Sequence, residues 1–115
     1  MVPTEDGLAY LWDMLQAGRD AADIMAGKSR AEWSDDKIVR LAVERSVEIV
    51  GEAARHVSKP LQTQHPEISW HQIIGLRNIL AHEYGQIDYD LLYDTVVHDI
   101  PELVEHLSKL VPPAG

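Results

Sequence analysis

Ser69-Trp70-His71-Gln72-Ile73-Ile74-Gly75-Leu76-Arg77-Asn78-Ile79-Leu80-Ala81-His82 carries one permanently charged side chain, Arg77, along its whole length. Ser69 with Gln72 fits a capping box, in which each side chain satisfies a backbone N–H of the first turn, so the stretch predicts a helix opening after Ser69. A helix so poor in charge belongs near the centre of a fold. At about 100° per residue, Trp70, Arg77 and Tyr84 fall on one line, and Asn78 and His82 neighbour each other on an adjacent line. Ile73, Leu76, Ile79 and Leu80 fill the opposite arc, and Gly85 is placed to end the helix.

The flanking sequence reads as more helices. Leu8, Leu11, Trp12, Leu15 and Ile24 form one stripe of a helix from about Thr4, a suitable N-cap, to Ala26, with Gly27 placed to end it. A long amphipathic helix is predicted from Ser34, with Ile38, Leu41, Ala42, Ile49, Ala53 and Val57 inward, until Pro60 forbids continuation. Arg45 and Glu52 fall in or beside that stripe, so each needs a partner if buried or else snorkels at its edge. Residues 60 to 68 hold two prolines and no clean period, which predicts a loop. Asp88 is a good N-cap for a last helix bearing Leu91, Leu92, Val96, Ile100, Leu103 and Leu107, which Pro101 should kink or split. No strand pattern, repeat or linker is present. The expected fold is all-α, a four- to five-helix up-and-down bundle without a sheet, in one domain over residues 1–115 with a frayed tail at 111–115.

Composition narrows the function classes. With 45% apolar and 25% charged residues the chain should fold. The absence of cysteine excludes a disulfide framework, a thiolate metal site and a thiol nucleophile, and fits a cytoplasmic protein. The N-terminus is acidic where a secretory signal is basic, and no apolar run reaches the length of a membrane span. The net charge of −9 argues against general affinity for nucleic acid, unless basic residues converge locally, for example across a subunit boundary. His56, His65, His71, His98 and His106 show no pair at ligand spacing on one helix with matching acids, so no metal and no cofactor is expected.

Arg77, His82 and Tyr84 suit RNA cleavage by attack of a 2′-hydroxyl on the neighbouring phosphorus. Histidine takes or returns a proton near neutral pH, arginine's planar fork holds the added charge of five-coordinate phosphorus, and the tyrosine hydroxyl orients or donates to a phosphate oxygen. Arg77 and His82 lie about 140° apart around a straight helix, so either the last turn distorts or a second copy completes the cleft across a two-fold axis. Asn78, one turn before His82, can fix its tautomer, and Glu83 can contact a 2′-hydroxyl or a partner.

The string Arg77-Asn78-Ile79-Leu80-Ala81-His82-Glu83-Tyr84-Gly85-Gln86-Ile87-Asp88 resembles the signature of the HepT-like group of HEPN-domain proteins, the ribonuclease toxins of two-gene systems. The likeness includes Ile49-Val50-Gly51-Glu52-Ala53-Ala54, Trp70 and the proline-bearing final helix, and spans about residues 5–110. It implies a helical homodimer, metal-independent endoribonuclease activity on RNA, and a minimal nucleotidyltransferase antitoxin as partner. It also implies that Tyr84 can receive adenylyl groups from that partner, which would silence the enzyme. Structural readings stand beside these: an Arg77–Glu52 ion pair, a helix-terminal role for His82, packing for Tyr84, and core or dimer interface for Trp70. The alternative function is a non-catalytic module of the same fold that binds a nucleotide or a protein.

Overall fold

The computed structural model describes residues 7–80 and 87–111, apart from the side chains of residues 77 and 79. Every regular element among the described residues is helical. Helix α1 (Leu8–Met25) buries Leu11, Met14, Leu15, Ala17, Gly18, Ala21 and Met25, a stripe at intervals of three and four. It ends at Gly27, whose φ of +74° lies in the left-handed region where a side chain is strained. The expected cap Thr4 lies outside the described residues. Gly18 lets α1 approach the last helix closely, because a Cβ there would meet Val104 Cγ2 at 3.0 Å.

A short helix, α2 (Arg30–Asp35), precedes the long one where the sequence predicted a single start at Ser34. Two cap signals lie close together, and the structure uses both. Ser29 and Glu32 form a capping box, with Ser29 Oγ accepting from Glu32 N–H at 3.1 Å and Ser29 N–H donating to Glu32 Oε1 at 2.9 Å. Donation by the Ser29 backbone also holds the Glu32 carboxyl below its ordinary range. Asp36 then caps α3 (Lys37–His56) by accepting from Val39 N–H at 3.1 Å. Along α3, Val43, Ser46, Val47, Val50, Gly51, Ala53 and Ala54 are buried. Ile38 and Leu41, expected inward, are 80% and 49% exposed, because they fall on the face of α3 roughly opposite to the buried Val43, Val47, Val50 and Ala54.

The predicted loop is partly helical. Ser58 caps α4 (Lys59–Gln64), and Pro60 sits in its first turn, where a missing N–H breaks no helical bond. Gln62 is buried there and donates from Nε2 to the Val57 carbonyl at 2.9 Å. The charge-poor stretch forms α5 (Trp70–Ile74) and α6 (Leu76–Leu80), interrupted at Gly75. Ser69 stands at the N-cap of α5 without a side-chain hydrogen bond, so the predicted capping box is not made. Asn78 N–H bonds the Gly75 carbonyl at 2.9 Å, a three-residue step that resets the register between Trp70 and Arg77.

Helix α7 (Tyr89–Asp94) opens on Asp88, which accepts from Leu91 N–H at 3.0 Å, as predicted. It runs into a π-helical turn, Thr95–Asp99, and then α8 (Ile100–Leu110). Pro101 has no N–H to give the carbonyl four residues back. The chain instead widens ahead of it, with Ile100 N–H bonding the Thr95 carbonyl. Leu92, Val96, Ile100, Leu103 and Leu107 are buried as expected, whereas Leu91 is 46% exposed. α1 packs chiefly against α3 and α8, while α5 and α6 lean on α3.

Candidate functional site

Two anchors bracket the motif segment. On its N-terminal side α6 carries the Arg77 backbone and the exposed Asn78, and ends at Leu80, which is half-buried against the core. The Arg77 side chain, His82, Glu83 and Tyr84 lie outside the described residues. On the C-terminal side, the first residue of α7 is held from three directions. Trp33 Nε1–H donates to the Tyr89 carbonyl at 3.2 Å, the Tyr89 hydroxyl donates to Glu44 Oε2 at 2.7 Å, and the Arg40 guanidinium lies 5.1 Å over the Tyr89 ring. Donation to Glu44 favours the protonated phenol, so the Tyr89 pKa is raised. Arg40 Nη1 also reaches the carbonyls of Trp33 and Ser34, tying α2 to α3.

The same corner is stapled from outside. Arg30 donates to Asp90 Oδ1 at 3.0 Å and Asp94 Oδ1 at 2.7 Å, with its guanidinium 4.4 Å over the Tyr93 ring. Trp33 itself is fully buried. Leu80 packs against the core, and Asp88 caps the packed helix α7.

Beside Leu80 a groove of about 440 Å³ opens between α1 and α3, lined by Tyr10, Asp13, Arg45, Glu48, Ile49, Glu52, Ala53 and His56 with Leu80 itself. The Tyr10 and His56 rings stack there, with centroids 5.2 Å apart and planes at 24°. Glu52 Oε1 accepts from Arg55 Nη2 at 2.8 Å and lies 3.2 Å from His56 Nε2. Arg45 pairs with Glu48 one turn on. Of the two charged residues assigned to the edge of the α3 stripe, Arg45 is exposed and Glu52 is half-exposed, and both border the groove.

Of the residues described around this groove, sequence reasoning named Arg45 and Glu52, and it weighed His56 only as a metal ligand. It did not single out Tyr10 or Asp13, nor the set Trp33, Arg40, Glu44 and Tyr89. Tyr10 and Asp13 share one face of α1 at i and i+3, which the periodicity could have shown. Their pairing with α3 is tertiary and leaves no local signal. Trp70 is buried, with Nε1–H donating to the His65 carbonyl at 3.0 Å, so it is a core residue in this chain. Among the described residues no three His, Asp or Glu side chains are placed to hold a metal ion, and no helix is long and apolar enough to cross a membrane.

The family described as Ribonuclease HepT-like matches residues 14–110. A "Putative RNase" of Methanocaldococcus jannaschii is 37% identical over 103 residues, covering 90% of this chain and 94% of its own. A second "Putative RNase", from Caldanaerobacter subterraneus, is 30% identical over 102 residues, with 89% and 91% covered. The "Probable ribonuclease HepT" of Thermococcus cleftensis is 39% identical over 75 residues, 65% of this chain and 68% of its own. No solved structure matches the chain. A family match that runs from Met14, in the second turn of α1, to the end of α8, and so takes in the motif and the elements that bracket it, settles the assignment: the chain belongs to the HepT-like ribonuclease family.

Proposed function

We propose that this chain is a metal-independent endoribonuclease, the toxin of a toxin–antitoxin pair, acting on RNA in a cleft shared by two copies. The observation that carries the reading is the Arg77, His82 and Tyr84 spacing inside a chain matched to a ribonuclease family over residues 14–110. His82 as neutral imidazole removes the proton of the 2′-hydroxyl while that oxygen attacks phosphorus. Arg77 binds the equatorial oxygens as their charge grows, and the Tyr84 hydroxyl donates to one of them. The bond to the 5′-oxygen then breaks. In this reading a second His82, from the other copy across a two-fold axis, returns a proton to that leaving oxygen, which gives the pair of copies a chemical reason.

Two features support association. Ile38 and Leu41 are exposed on α3, and with Arg45 and Glu48 they continue at helical spacing along one face into the groove. The net charge of −9 also leaves phosphate binding to local clusters of cations, and pairing two chains doubles the number of Arg77 groups at one site. The antitoxin in this reading is a nucleotidyltransferase. The Tyr84 hydroxyl attacks the α-phosphorus of ATP and displaces pyrophosphate, and the adenylyl group left behind puts bulk and negative charge where an RNA phosphate must sit.

The test is cleavage of mixed RNA in excess chelator. Wild-type protein is expected to cut, and His82→Ala and Arg77→Ala to lose at least about a hundredfold in rate with folding intact by circular dichroism. Wild-type cleavage no greater than that of the Arg77→Ala, His82→Ala double variant would overturn the reading in favour of a non-catalytic binding module.

A further inference from the structure

We infer that the groove between α1 and α3 is a base-binding subsite that takes an unpaired guanine next to the cut phosphate. The inference rests on the nuclease reading for the location of the cut and on the groove's own chemistry for the base. About 440 Å³ lies within the range that holds small-molecule-sized groups. Its aromatic element is already a stack: the Tyr10 ring lies against the His56 ring at 5.2 Å, and Glu52, one turn before His56 on α3, holds the imidazole from Nε2. The His56 side chain remains 46% exposed. A nucleobase entering the groove extends this stack by one ring, the mode by which proteins hold unpaired bases in RNA.

The polar rim selects among bases. Glu48 is paired with Arg45, and Glu52 with Arg55 and His56. Asp13, one turn beyond Tyr10 on the same face of α1, has no such partner among the described residues. An ionised carboxylate only accepts hydrogen bonds, and two parallel donors serve it best. Guanine places N1–H and the N2 amino group side by side on one edge. Adenine and cytosine each bring one amino group beside an acceptor, and uracil flanks its single N–H with two carbonyl oxygens that a carboxylate repels. Leu80 lines the groove and stands two residues before His82 in the chain, which is the link between this groove and the cut in the nuclease reading. Because the rim carries a carboxylate unpaired among the described residues, the groove receives the neutral base and the motif's cations receive the phosphate.

Binding is measured separately from cutting, by fluorescence anisotropy on the His82→Ala protein. The probes are short oligouridines with one central guanosine, inosine, adenosine or uridine. Guanosine RNA is expected to bind about tenfold more tightly than inosine RNA, which lacks only the N2 amino group. Asp13→Asn should erase that difference. His56→Ala should weaken every probe about tenfold, and His56→Phe should restore the affinity while keeping the guanosine preference. Equal binding of all four probes, or a guanosine preference unchanged in Asp13→Asn, overturns the assignment. Wild-type cleavage that ignores the neighbouring base while anisotropy is also base-blind removes the groove and leaves the nuclease standing. Guanosine-selective binding by a wild-type protein that cuts nothing removes the nuclease and leaves the groove.

Discussion

Trp33→Ala tests what holds the corner that follows the motif. The indole is fully buried among α2, α3 and α7, close to the rings of Tyr89 and Tyr93 at centroid distances of 6.1 Å each. Truncating a buried Trp to Ala costs about 3–5 kcal/mol through lost transfer energy and the cavity left behind. It also strips the Tyr89 carbonyl of the Nε1–H that bonds it at 3.2 Å. Unfolding entropy for a chain of this length is about 0.24 kcal/mol per kelvin, so the expected fall in Tm is roughly 12–20 °C. The assay is thermal unfolding followed by circular dichroism at one fixed protein concentration, since association would make Tm depend on it. Trp33→Phe keeps most of the ring and loses the hydrogen bond, which predicts a fall of about 5–12 °C. Arg30→Ala removes the two ion pairs to Asp90 and Asp94, but these sit in water with side-chain exposures of 48–82%, so its effect should be the smallest of the three. An Arg30→Ala protein melting as low as Trp33→Ala, or a Trp33→Ala fall of less than about 4 °C, would refute the claim that the buried indole dominates this corner.

Other predictions concern single groups. The Tyr89 hydroxyl donates to Glu44, so its folded pKa is raised. The stabilisation is full below the phenol's unfolded value of about 10 and fades as pH rises through the higher folded value. Denaturant titrations of wild type and Tyr89→Phe should therefore converge at strongly alkaline pH, and a constant difference from neutral to alkaline pH would contradict the linkage. Gly27→Ala should lower stability by about 1–2 kcal/mol, since φ is +74° and no atom lies within 4 Å of the added Cβ, which leaves backbone strain as the cost. Urea unfolding of Gly27→Ala and the milder Gly27→Asn should place the asparagine variant between alanine and wild type.

Where a local signal had one interpretation, the sequence was enough. Asp88 caps α7, Gly27 ends α1, and the stripe from Leu92 to Leu107 faces inward. Competing signals misled. Ser29 with Glu32 and Asp36 both open helices, and Pro60, a barrier to α3, is harmless in the first turn of α4. Gly75 permits helical φ and ψ yet breaks the register, which a wheel drawn at constant angle cannot register. The proposed catalytic set, Arg77, His82 and Tyr84, is a pattern readable in one dimension. That Tyr10 and Asp13 line one groove with His56 was not readable, because they meet only when α1 lies along α3.

The central chemical claim is attack by the substrate's own 2′-hydroxyl, and the ends of the products report it most directly. An RNA cut in excess chelator should yield a 2′,3′-cyclic phosphate on one fragment and a 5′-hydroxyl on the other, and the same strand with a single 2′-deoxy residue at the cut position should stay whole. Fragments bearing 3′-hydroxyl and 5′-phosphate ends, or cleavage of the deoxy-substituted strand at the unmodified rate, would contradict it.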